Sequence, residues 1–322
     1  MEKFLARESA RKHYYGMSRR INQWKNLRLD RLPKLLILVY HRVLPAHRFS
    51  FFDSIVTLEK FIEHLDTLTK RFPIISLTDA LAQCWAGRAK TNLQAVLTFD
   101  DGYCDNYEVV FPVLKKRGVS AVFFLATDYI GGNIPLWEWE VAEILYRNMP
   151  TEGVLLHKKI WETKRSFVLR VIEEMKGMDL EKRERVISFL RIHSNNRLSS
   201  GPLKDRCLNW EEVKKMSSSG MEIGSHGMSH RALSRIPFAD AIKEIEGSRK
   251  AVEKHTQKPC LHFSFPFGSQ KDYNQRLIDH IKRAGFHSCL LNTHGYNHIR
   301  KDLFCFKRII MEETTDMNFL LG

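Results

Sequence analysis

Residues 95–103, Ala-Val-Leu-Thr-Phe-Asp-Asp-Gly-Tyr, decide the fold. Ala95–Phe99 is a short, mostly apolar run of the kind that makes a strand buried on both faces, and it ends abruptly in two carboxylates and a glycine. Upstream, LLILVYH (Leu35–His41) has the same form, an apolar run ending in a polar residue. Between them Leu58, Phe61, Ile62, Leu65 and Leu68 recur at helical spacing, with Thr57 placed to cap the helix. Downstream, a helix near Tyr107–Arg117 is stopped by Gly118, and a strand follows over Ala121–Ala126.

From about 136 to 206 the rhythm breaks into a Lys-, Arg- and Glu-rich stretch that reads as helical throughout, an insertion on the scaffold. The alternation then resumes with a helix over 210–219, strand 221–224, helix 238–255, strand 262–265, helix 272–284, strand 288–291 and a last strand over 304–310. Short strands alternating with helices of 10–15 residues indicate parallel βα units. The expectation is an α/β fold, a distorted (β/α) barrel of about seven strands over residues 34–312, with a basic helical arm at 1–33 and a tail at 313–322.

The formal charge is +14 over 322 residues, and twelve of the Lys and Arg lie within residues 1–48 against only three acids. A basic leader ahead of a near-neutral domain suits either a solvated helix or peripheral contact with an anionic membrane surface. Nucleic acid is not an expected partner, because there is no zinc-finger spacing and no ribonucleoprotein-type aromatic motif. Six scattered cysteines with no Cys-x-x-Cys pair suit reduced thiols rather than a disulfide framework. The N-terminal MEKFLARESARKHYYG has no apolar run of secretory type, so the expected location is cytoplasmic, at most peripheral at the inner membrane face.

In βα barrels chemistry gathers where strands end. His41, the Asp100–Asp101 pair, Ser225–His226 and Pro266–Phe267–Gly268 all fall at such ends. Adjacent buried carboxylates need a cation or a shared proton, although Asp-Asp-Gly alone is also ordinary turn chemistry. In GSHGMSH, His226 and His230 are four apart, which brings both imidazoles to one side of a helical turn and within reach of one ion. One Asp and two His supply three ligands and leave room for water and substrate. Zinc suits such a donor set, as do cobalt, nickel, manganese and iron. The other Asp then stays free to accept a proton.

Thr98–Tyr103, Ser225–His230 and Ser264–Gly268 resemble, in order, the three motifs of the polysaccharide deacetylases, the NodB homology domain of carbohydrate esterase family 4. Val39-Tyr40-His41-Arg42-Val43 is similar to the Tyr-His start of one branch of that family. The resemblance covers roughly residues 35–310 and implies hydrolysis of N-acetyl groups on amino sugars of a glycan. Carried across, it gives Asp101, His226 and His230 as ligands of a divalent metal and Asp100 as general base. Phe267 after Pro266 would offer an N–H to the oxyanion, with Tyr103 also on the substrate side.

Two positions depart from the family pattern. Ser264 stands where an Arg orients the base, and Arg308 in the last strand is the candidate replacement. The late Leu-x-His that protonates the leaving amine is absent, since Leu291 and His294 have the wrong spacing. His41 is the candidate acid, with His294 in reserve. Trp137, Trp139 and Trp210 suit either packing or stacking on a sugar ring. A deformylase or amidase on the same scaffold, and a non-catalytic glycan-binding module, remain the alternatives.

Overall fold

The computed structural model describes residues 34–46, 52, 54–86, 93–132, 134–148, 154–156, 160–194, 206–299, 303–317 and 320. The basic arm expected at 1–33 lies outside them.

Strand β1 (Lys34–Tyr40) is buried along its whole length. Short strands β2 (Arg42–Leu44) and β3 (Ile55–Thr57) pair in parallel beside it. Helix α1 (Leu58–Arg71) starts where the Thr57 hydroxyl accepts the Lys60 N–H, and it turns Phe61, Leu65 and Leu68 inward. Next come α2 (Leu77–Ala86) and β4 (Leu93–Phe99). A π-helical turn over Asn106–Val110 leads into α3 (Phe111–Arg117), which Gly118 ends at φ 63°. After β5 (Val122–Leu125) the insertion supplies α4 (Trp137–Asn148), strands β6 (Val154–Leu156) and β7 (Ile160–Glu162), α5 (Lys164–Met175) and α6 (Leu180–His193). The insertion is therefore not helical throughout, because β6 and β7 pair antiparallel within it.

The regular units return with α7 (Trp210–Ser218), β8 (Glu222–Ser225), α8 (Phe238–Thr256), β9 (His262–Ser264), α9 (Gln275–Arg283) and β10 (Ser288–Leu291). Helix α9 begins later than the expected 272 because Asn274 is its cap, accepting the Leu277 N–H. Strands β11 (Asn297–His298), β12 (Cys305–Lys307) and β13 (Ile309–Ile310) finish the chain of elements.

Seven strands run parallel in the order β1-β4-β5-β8-β9-β10-β12. The expected single last strand is split at Arg308. Its first half pairs with β10, while its second half pairs in parallel with β1, Leu38 opposite Ile309 and Val39 opposite Ile310. That handover joins the two ends of the sheet and closes the barrel.

Alternate side chains leave each strand on opposite faces. Leu35, Ile37, Val96, Val122, Phe124, Leu290 and Phe306 form one buried cluster with Leu77 and Leu81 of α2. Leu36, Leu38, Tyr40, Leu97, Phe99, Phe123 and Leu125 belong to a second, larger one. Strands β5 and β8 approach so closely that a Cβ on Gly224 would lie 2.5 Å from the Phe124 ring. All six cysteines are free thiols. Among the described residues no helix is long and apolar enough to cross a membrane.

Candidate active site

The two carboxylates after β4 point to different partners because the backbone reverses between them. Asp101 sits at φ 76° and Gly102 at φ 81°, in the left-handed region, which a non-glycine residue occupies only under constraint. A Cβ on Gly102 would lie 2.9 Å from Leu125 Cδ2, so the turn needs glycine for space as well as for φ.

Asp101 faces the histidines. Its Oδ1 lies 3.5 Å from His226 Nε2 and 3.4 Å from His230 Nε2, and one ligand atom from each residue falls within 4.8 Å of the others. All three residues are buried. An ion bound tetrahedrally at roughly 2.0–2.1 Å needs ligand atoms about 3.4 Å apart, so these spacings fit one. The histidines do not reach this arrangement through the helical turn expected from their spacing. Gly227 at φ 75° and His230 at φ 51° break any helix, and Glu244 of α8 accepts the N–H groups of Met228 (2.7 Å) and Ser229 (2.9 Å) to fix the loop between them.

The outer nitrogen of each ring is engaged. His226 Nδ1 lies 2.8 Å from the Ser264 carbonyl oxygen, and His230 Nδ1 lies 2.7 Å from Glu138 Oε1. The Ser264 carbonyl can only accept, so His226 Nδ1 carries the proton and its Nε2 presents a lone pair toward Asp101, whereas Glu138 meets His230 Nδ1 as an ion-pair contact without hydrogen-bond geometry. The donor set therefore fits a divalent cation in spacing, and His226 fits it in tautomer as well. Burial favours the neutral forms of Asp101 and His230, but their partners outweigh it. The two imidazoles hold the Asp101 carboxyl well below its ordinary value, and Glu138 with Asp101 pushes His230 up to about 10. A proton and a cation thus compete for the same place.

Asp100 is paired with Arg308, the candidate replacement for the arginine missing at position 264. Arg308 Nη1 donates to its Oδ1 (2.8 Å) and Nη2 to its Oδ2 (2.6 Å), with both side chains fully buried. Ser264 Oγ donates to Oδ2 at 3.2 Å and accepts from Arg308 Nη2 at 2.9 Å. Asn292 Oδ1 and Thr98 Oγ1 take further Arg308 donors at 2.6 and 3.3 Å. Burial would raise the Asp100 carboxyl, but the adjoining guanidinium outweighs it and holds the group below its ordinary value. Oδ2 lies 3.8 Å from His226 Nε2, so this ion pair borders the histidine cluster.

A cleft of about 430 Å³ opens over the cluster, lined among others by His41, Asp101, Glu138, His226, His230 and Phe267. His41 Nδ1 is buried there without a hydrogen-bond partner. The Phe267 ring lies 4.7 Å from that of His230, and Lys176 Nζ sits 4.2 Å from its centroid. Asp100, Arg308, Tyr103, Pro266 and His294 are not among the lining residues, and Asp100 and Arg308 lie fully buried beneath the cleft. The Tyr103 ring instead lies buried 4.5 Å from the Arg42 guanidinium. Trp137 and Trp139 are both buried, Trp139 also lines the cleft, and Trp210 stacks on His255 at 4.0 Å. Glu138 and Lys176, both from the insertion, carry no motif that marks them in the sequence.

The family model for polysaccharide deacetylases matches residues 88–289. The chain belongs to that family. YxkH of Bacillus subtilis (strain 168), described as a polysaccharide deacetylase, is 27% identical over 128 residues, 39% of this chain and 44% of that protein. The matched stretch thus spans less than half the length of that relative. The fold is similar to that of the Streptococcus pyogenes deacetylase PplD, solved in complex with acetate (TM-score 0.60, 16% identity, 90% of this chain and 97% of that one). It is similar also to IcaB from Ammonifex degensii (TM-score 0.58, 17% identity, 89% and 94%). At these identities the structural likeness concerns the fold alone.

Proposed function

We propose that the chain is a divalent-metal hydrolase that removes N-acetyl groups from amino sugars of a polysaccharide or lipid-linked glycan. The observation that carries this reading is the convergence of Asp101, His226 and His230 on one point, with the His226 ring held from behind by Ser264 and His230 paired with Glu138. Charge supports it. With neutral imidazoles, Asp100 and Arg308 cancel, and Asp101 and Glu138 leave two buried negative charges for a divalent cation to balance. Zinc is the first candidate for this nitrogen and oxygen set.

When bound, such a cation polarises an acyl carbonyl and acidifies water. The chain's own residues supply the rest. Asp100, held ionised by Arg308, takes the proton of the attacking water. Arg308 fixes the carboxylate plane, so the base is oriented before substrate arrives. Phe267 lines the cleft and offers its N–H to the developing oxyanion. His41, on the same cleft with an unpartnered Nδ1, delivers the proton to the departing amine. Contact with an anionic membrane surface rests only on the charge of residues 1–48.

The test is metal analysis of the purified chain together with acetate release from a panel of N-acetylated glycans. Stoichiometric metal and metal-dependent acetate release are expected. Formate release from formylated sugars without acetate release would transfer the reading to a deformylase, and glycan binding without any acyl product would sink the hydrolase.

A further inference from the structure

We propose that the inserted helices set the cation affinity of the site, with Glu138 of α4 as the positioning residue. The proposal rests on the metal site argued above.

Glu138 is 4% exposed, and among the described residues its one ion-pair partner is His230. Its Oε2 is buried with no hydrogen-bond partner. A buried carboxylate without full hydrogen bonding is costly, and the usual compensation is a nearby positive charge. A cation on the far side of His230 supplies that charge. Outer carboxylates of this kind fix the ring and raise its basicity as a ligand.

The insertion also grips the backbone around the ligand. Trp137 Nε1 donates to the His230 carbonyl at 2.9 Å, and Arg183 Nη2 of α6 donates to the Ser229 carbonyl at 3.1 Å. The Arg183 guanidinium lies 5.1 Å from the Trp137 ring centroid, which ties α6 to α4. On the other side of the ligand, Arg231 Nη2 reaches the Met178 carbonyl at 3.2 Å, and the Ala232 N–H reaches the Lys176 carbonyl at 3.4 Å. His230 at φ 51° is in a conformation that needs such restraint. The barrel strands provide Asp101 and His226, whereas the third ligand is held from outside the barrel.

The experiment titrates zinc into the metal-stripped full chain against a chelating dye, comparing wild type, Glu138→Gln and Asp101→Asn. Glu138→Gln should weaken zinc binding by about 10–100-fold, the range seen when an outer-shell partner is lost. The metal-free Glu138→Gln chain should be at least as resistant to urea as wild type, because a half-satisfied buried charge is gone. A purely structural role would instead lower urea resistance and leave affinity alone. Trp137→Phe is the second variant should Glu138→Gln fail to fold, and loss of its single hydrogen bond should weaken binding about fivefold. Zinc affinity within twofold of wild type in each folded Glu138 and Trp137 variant, with Asp101→Asn abolishing binding, would overturn the proposal. No stoichiometric zinc on the wild type would overturn the metal site itself.

Discussion

Replacing Arg308 by Met removes the guanidinium paired with Asp100. The guanidinium gives two bonds to that carboxylate, and others to Ser264, Asn292, Thr98 and the Leu291 carbonyl. Neither Arg308 nor Asp100 has measurable exposure, so bulk solvent compensates poorly for a lost partner. Breaking a buried pair from one side costs about 3–5 kcal/mol, because the remaining charge is stranded. Asp100→Asn strands Arg308 in the same way and should cost a similar amount. Independent sites would make the double variant worse by about 6–10 kcal/mol, the simple sum of two such losses. The structure demands less, because the second substitution removes a charge that the first had already left alone. The double variant should lie about 3 kcal/mol or more above the additive value. Urea unfolding of the metal-stripped chains at neutral pH measures this, provided the denaturant slopes agree. Additivity within about 0.5 kcal/mol would refute the claim that these two charges exist for each other.

His41→Ala should lower turnover by about 10²–10⁴-fold, the typical worth of a proton-transfer group, and leave zinc affinity unchanged. Near-normal turnover would remove His41 from the mechanism. Gly102→Ala should cost about 1–3 kcal/mol, because alanine must adopt φ 81° with its methyl 2.9 Å from Leu125 Cδ2. Unchanged urea resistance would show that the turn relaxes freely. Glu222 caps α2 from a distant strand, accepting the Leu77 N–H at 2.8 Å and the Thr78 N–H at 3.1 Å. Burial raises its carboxyl, but His262 and these donors outweigh burial and depress it. A depressed carboxyl stabilises the fold above the ordinary glutamate range, and that contribution fades as pH falls through the folded-state value. Glu222→Gln should therefore cost about 1 kcal/mol at neutral pH, as for a lost helix cap, with the gap to wild type narrowing toward pH 3. A gap that widens in acid would contradict the sign.

The barrel was legible because each strand is a short apolar run broken by a polar residue, and those breaks are where Asp100, Asp101 and His226 stand. Arg308 could be nominated from the missing arginine at position 264, because a buried base has to find its positive partner somewhere. The split of its strand could not, since pairing with β1 depends on a register set some 270 residues away in sequence. The route by which His230 reaches Asp101 was misread. Four-residue spacing fits a helix, but Gly227 and Glu244 impose a loop. Glu138 was invisible for a different reason. Between two tryptophans at the start of a helix, it looks like an ordinary first-turn acid, and only tertiary packing brings it to His230.

The strand break at Arg308 has a consequence for synthesis. Residues 305–310 follow the other described strands of the sheet in the chain, yet they supply both the segment that seals it and the positive charge paired with Asp100. A nascent chain lacking them holds an open sheet edge and a lone acid at its centre, each a reason for it to stay loosely folded on the ribosome. Sealing of the sheet and pairing of Asp100 therefore arrive together.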